Sequence, residues 1–88
     1  MDEKERYIVK EKTVYVVAAF GEPTTFMYFW DGECKFYDNI EICTKYGSRK
    51  TANDMVKVFH KATNTTDEDY PVVVLPLKIT HELIKETT

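Results

Sequence analysis

The run Phe26-Met27-Tyr28-Phe29-Trp30-Asp31-Gly32-Glu33-Cys34-Lys35-Phe36-Tyr37 decides the fold. Asp-Gly between two β-prone stretches marks a two-residue type I′ turn, because both central positions need φ > 0. Such a turn sets the register. Trp30 stands opposite Glu33, Phe29 opposite Cys34, Tyr28 opposite Lys35, Met27 opposite Phe36 and Phe26 opposite Tyr37. Side chains alternate along a strand, so the pairs divide into two sets. Met27, Phe29, Cys34 and Phe36 form a wholly apolar set, which is expected to face a core. Phe26, Tyr28, Trp30 and Tyr37, mixed with Glu33 and Lys35, are expected on the outer face with four half-exposed aromatics.

Working outward, Tyr7–Lys10 reads as a short strand and Glu11-Lys12 as a connection without tight-turn chemistry. Thr13–Phe20 is rich in Val and Tyr and reads as a second strand. Gly21–Thr25 is a loop punctuated by Gly21 and Pro23. Ile40–Tyr46 reads as a further strand. Gly47 then breaks the chain, and Ser48 is placed to cap a helix over about Arg49–Ala62. Thr51 with Asp54 offers a second start as a capping box. Ala52, Met55, Val56, Phe59 and Ala62 recur at helical spacing as one apolar stripe. Lys50, Lys57 and Lys61 fall on the opposite face. Thr63–Asp69 is a polar loop and, with the last few residues, the expected flexible part. Tyr70–Leu75 reads as a buried strand, which Pro76 interrupts in the manner of an edge position or a bulge. Leu77, Ile79, His81 and Leu83 alternate, so a strand is expected to continue past Pro76, although His81–Lys85 also suits a short helix.

The expected fold is α+β: an antiparallel sheet of five to six strands in the order β-β-β-β-β-α-β, with one amphipathic helix on one face. At 88 residues the chain has room for one domain spanning 1–88.

Composition narrows the function classes. Apolar residues make up 43% of the chain, enough for a folded core, and aromatics a generous 14%. The charged start Met1–Arg6 has no signal-peptide apolar stretch, and no run reaches the ~18 apolar residues of a membrane helix. A cytoplasmic protein with reduced thiols and no membrane contact is expected. Asn64-Thr65-Thr66 matches a glycosylation sequon, which has no use in that setting. The net charge of −3 hides an asymmetry. Between Lys45 and Lys61 stand five basic residues and one acid, whereas the remainder holds seven basic and fourteen acidic residues. A locally basic helix sits on an acidic protein.

Chemistry-bearing motifs are absent. His60, His81, Cys34 and Cys43 are the only His and Cys residues, and no two stand closer than nine positions, whereas zinc ligands usually come paired two to four apart. Cys34 lies on the expected core face, where a thiol is inert. There is no glycine-rich phosphate loop. No catalytic residue, metal site or cofactor is therefore expected, and no enzyme activity.

Surfaces remain. Trp and Tyr are the residue types enriched at binding hot spots, so Phe26, Tyr28, Trp30 and Tyr37 are the expected partner contacts. The first rival is a nucleic-acid or acidic-partner contact through Lys50, Lys57 and Lys61. The second is a structural homo-oligomer formed by pairing sheet edges, with the Pro76 strand or Tyr7–Lys10 as the edge.

Tyr7-Ile8-Val9-Lys10, the strand after it, and Ser48-Arg49-Lys50-Thr51-Ala52 opening a helix form an order of elements that resembles small accessory proteins of phages and prophages. The resemblance implies a non-enzymatic protein that binds a host protein, a class that includes small acidic inhibitors of host defence. No functional residue carries over from it.

Overall fold

The computed structural model describes residues 4–86. The charged start at residues 1–3 and the last two residues lie outside the described residues. Four strands and one helix follow in the order β1 (Lys4–Ala19), β2 (Thr25–Trp30), β3 (Glu33–Tyr37), α1 (Arg49–Thr63) and β4 (Val73–Glu86). The strands form one sheet in the order β3-β2-β1-β4, with every neighbouring pair antiparallel. The α+β class and the single helix on an antiparallel sheet agree with the sequence; the five to six strands do not.

Two corrections account for the difference. Tyr7–Lys10 and Thr13–Phe20 are parts of one strand, because Glu11 and Lys12 pair straight across to Thr80 and Ile79 instead of turning. Neither residue favours the φ > 0 of a tight turn. Ile40–Tyr46 is not a strand. Ile40–Ile42 form a turn, and only Tyr46 makes a bridge, to Tyr15. That bridge fills a gap. β1 and β2 pair only at Ala18–Phe26 and Ala19–Thr25 and then part. Residues 44–46 enter the opening: Thr44 N–H donates to the Met27 carbonyl at 3.0 Å and Thr44 Oγ1 accepts from Phe29 N–H at 2.8 Å. Tyr15 and Tyr46 exchange two backbone bonds on the other side.

The hairpin register agrees pair for pair with the Asp31-Gly32 turn, and both turn residues have positive φ. Met27 is fully buried and Cys34 and Phe36 pack on the helix-side core with Val17, Ala52, Phe59 and Val72. Phe36, Phe59 and Tyr70 stack in mutual edge or tilted contact at 5.2–5.6 Å. Ser48 caps α1, its side chain accepting from Thr51 N–H at 3.1 Å. The Thr51 capping box is not used: Asp54 pairs instead with Lys50 at 3.2 Å. Of the predicted apolar stripe, Ala52 and Phe59 are buried and Met55 and Val56 half-buried, but Ala62 is exposed. It lies in the last turn, past the sheet that the helix covers. Asn64 ends the helix in the left-handed conformation, a position that favours Gly or Asn.

β4 runs unbroken through Pro76, as expected for an edge strand. Tyr15 spends its N–H and C=O on Tyr46, so it faces Pro76 without ladder bonds. The backbone nitrogen of Pro76 therefore points to the open edge, where its missing N–H breaks no pairing.

Beyond Val14 and Leu77, β1 and β4 continue as a two-stranded arm to Lys4 and Glu86, with an irregularity between Ile8 and Lys10. The molecule is accordingly elongated, 58 × 27 × 23 Å.

Candidate functional site

Alternation sorts every strand residue to one of two faces. Tyr15, Val17 and Ala19 of β1 and Val74 of β4 lie with Met27 on the helix side. Val14, Val16 and Ala18, with their partners Leu77, Leu75 and Val73, lie on the other. Phe26, Tyr28 and Trp30 of β2 and Tyr37 of β3 share that second face. No helix covers it, yet its apolar members Val14, Val16 and Ala18 are buried.

The four predicted contact residues therefore stand where the hairpin register puts them. Phe26 and Tyr28 are half-buried, Tyr37 is 39% exposed and Trp30 69% exposed. Tyr28 and Tyr37 meet edge to face at 6.1 Å. Glu33 and Lys35 pair at 3.5 Å beside them, and with Tyr28, Trp30 and Tyr37 they line a shallow cleft. Trp30 thus stands exposed at the lip of an aromatic patch.

The apolar layer continues into the arm. On this face β4 presents Val73, Leu75, Leu77, Ile79, His81 and Leu83, and Leu83 is 63% exposed. The opposite face of the arm carries Glu11, Thr13, Lys78, Thr80 and Glu82, with Lys78 and Glu11 paired at 3.3 Å, and ends on Ile84, 50% exposed.

Lys50, Lys57 and Lys61 are all exposed on α1, on the side of the helix turned away from the sheet. Lys50 is tied to Asp54, so the face is less positive than the lysines alone indicate. Arg49 belongs elsewhere, its guanidinium 4.9 Å from the Tyr15 ring centroid.

Two features lie beyond what the sequence pattern shows. Phe20, Pro23, Tyr70 and Pro71 come together from two loops to wall a groove of about 320 Å³ at the end of the sheet away from the arm, with Asp69 at its side. The residues are far apart in sequence, so only the β1–β4 pairing unites them. His60 holds the loop after α1: Nε2 lies 2.8 Å from Asp67 Oδ1 and Nδ1 lies 3.0 Å from Thr65 Oγ1. With Thr66 and Asp69 bonded to each other as well, Thr63–Asp69 is tied down more than its composition implies.

Thr63 Oγ1 donates to the Phe59 carbonyl at 2.9 Å and lies 2.6 Å from Thr65 Oγ1. Asp67, His60, Thr65 and Thr63 thus form one hydrogen-bonded line that fastens the loop to the end of α1.

The thiols are quiet. Burial pushes Cys34 up, and it pushes Cys43 up against the smaller opposing pull of Lys45. Neither is a ready thiolate. Tyr46 Oη is buried with no hydrogen-bond partner, and burial first, then Cys34, pushes its phenol up. Among the described residues no group of three or more His, Cys, Asp or Glu is placed to hold a metal ion, and no helix is long and apolar enough to cross a membrane.

Comparison with protein-family models, with curated proteins and with solved structures finds no match to this chain.

Proposed function

We propose that the chain is a small non-enzymatic protein-binding domain that engages its partner through the sheet face α1 leaves uncovered. The observation that carries this is Trp30, 69% exposed on a face whose inner members Val16 and Ala18 are buried. A domain that leaves a Trp and two Tyr at the border of an apolar sheet face has the composition of an interface centre. Binding a host protein, as the resemblance to phage-type accessory proteins suggests, is one form of this reading.

The test is affinity capture from the source cell with wild type, Trp30→Ala and a triple Lys50→Glu/Lys57→Glu/Lys61→Glu variant, with folding of each checked by circular dichroism. Trp30→Ala is expected to lose the captured protein while staying folded, and the lysine variant to keep it. Unfolding of Trp30→Ala would make Trp30 a core residue and end the reading. The nucleic-acid reading has less support, given the Lys50–Asp54 pair and the protein's acidic balance. It predicts a low-salt gel shift that the lysine variant abolishes.

A further inference from the structure

We infer that the groove at the end of the sheet away from the arm receives an arginine side chain from a basic segment of a protein partner. This is a second surface, apart from the Trp30 face, and it stands whether or not that face binds. Three observations carry it.

The first is the wall. Phe20 and Pro23 come from one loop, Tyr70 and Pro71 from the other. Tyr70 is fixed from its inner side by Phe36 and Phe59, at 5.6 and 5.2 Å between ring centroids, and Phe20 is 69% exposed. A volume of about 320 Å³ stands at the lower end for a small-molecule site and suits one long side chain. Aromatic walls favour a guanidinium, whose flat cation stacks on ring faces.

The second is the sense of the hydrogen bonding. Pro23 and Pro71 have no N–H to offer. Asp69 and Tyr70 spend theirs on the Thr66 hydroxyl at 3.4 Å and the Thr66 carbonyl at 2.9 Å. Asp69 Oδ2 accepts from the N–H and hydroxyl of Thr66 at 3.1 and 3.2 Å, which fixes the carboxylate, while Oδ1 accepts from no group among the described residues. The groove is poor in donors and keeps an acceptor open. A guanidinium has five donors and no acceptor, so it matches. An acidic side chain does not.

The third is charge. Residues 20–25 and 64–71, the two loops that meet at the groove, hold Glu22, Asp67, Glu68 and Asp69 and no Lys or Arg. His60 engages Asp67. Glu22, between two wall residues, and Glu68, next to Asp69, stand exposed. Lys57 and Lys61, the bases that precede the second loop, lie on the side of α1 turned away from the sheet. The field at the groove attracts a basic segment and repels an acidic one.

The probe is an acetylated, amidated glycine pentapeptide with arginine at its centre, titrated into the isotope-labelled protein in about 20 mM salt, where exposed charges are weakly screened. Saturable amide shifts at Phe20, Gly21, Asp69 and Tyr70 are expected, with a Kd on the order of 1 mM. The same peptide with citrulline, of like shape but neutral, is expected to bind about tenfold more weakly. Asp69→Asn keeps an oxygen for Thr66 and loses the charge; Phe20→Ser removes an exposed ring. Each is expected to stay folded by circular dichroism and to weaken binding about fivefold or more. Trp30→Ala is expected to bind the peptide as wild type does, whatever becomes of partner capture. No saturable shift up to about 10 mM, equal binding of the citrulline peptide, or folded Asp69→Asn and Phe20→Ser that bind unchanged overturns the proposal. So does spermidine binding as tightly with the same shifts, because that flexible polycation has no planar fork. Shifts centred on Trp30 and lost in Trp30→Ala place the peptide on the sheet face and overturn the groove.

Discussion

Tyr15 and Tyr46 exchange two backbone hydrogen bonds of 2.8 Å, so a single residue from the loop before the helix substitutes for a strand where β1 and β2 part. Thr44 completes the patch by accepting from Phe29 N–H. Thr44→Val keeps the shape and removes the acceptor. The expected loss is about 1–3 kcal/mol, the cost of leaving a half-buried donor unpaired. Chemical denaturation measures it, and faster hydrogen exchange at Phe29 locates it.

Pro76 lies opposite the same Tyr15, its nitrogen at the open edge. Pro76→Val should leave the β1–β4 ladder intact and change stability by about 1 kcal/mol or less. It also restores a donor to the edge. More association at high concentration than wild type is expected, read by light scattering. A large loss of stability would mean that Tyr15 bonds toward β4 and not toward Tyr46.

Met27 and Trp30 occupy one short strand and should behave oppositely. Met27 is fully buried under the helix, and Met27→Ala is expected to cost about 2–5 kcal/mol. Trp30→Ala should cost about 1 kcal/mol or less, the worth of a cross-strand contact. Equal losses in urea titrations would contradict the division of faces.

Ser48→Ala removes the acceptor for Thr51 N–H and is expected to cost about 1 kcal/mol. Thr51→Ala, which spares that acceptor, should cost less. This ordering separates the observed cap from the T-x-x-D alternative.

Alkaline stability follows from the two thiols and Tyr46. Cys34 and Cys43 are raised from 9.0 and Tyr46 from 10.0, in each case chiefly by burial. Above these values the unfolded chain has released protons that the folded chain still holds, so stability falls as pH rises. It is expected to be independent of these groups at neutral pH and to decline from about pH 9 upward. A Cys34→Ala/Cys43→Ala variant should show a shallower decline in denaturation midpoints across that range, whatever its stability at pH 7.

Most of the candidate face is legible in the sequence itself, because Asp31-Gly32 locks the register and the register assigns the faces. The helix is equally legible from its stripe and from Ser48. Long-range pairing is what escapes a local reading. Nothing in Glu11-Lys12 shows that Thr80 and Ile79 stand across from it, so β1 reads as two strands. β-prone Ile40–Tyr46 yields one bridge because the gap it fills admits only residues 44–46. The groove of Phe20 and Tyr70 and the His60–Asp67 bond depend on loops whose meeting is set by tertiary structure. The apolar alternation through Leu77, Ile79 and Leu83 is visible in the sequence, but it marks an arm only because β2 stops short of it.

The pairing of Lys4 with Glu86 has a consequence for how the protein is made. Its central strand β1 is made well before β4, its longest partner. Val14–Ala18 must wait, unpaired on one side, until β4 has been synthesised. Contacts of such sequence separation slow folding, and they leave an apolar strand open to other chains in the interval. A truncation that removes only β4 therefore takes away more than an edge. It strands β1 without its cover, and chaperone engagement of the nascent chain should persist until residues beyond Val73 emerge.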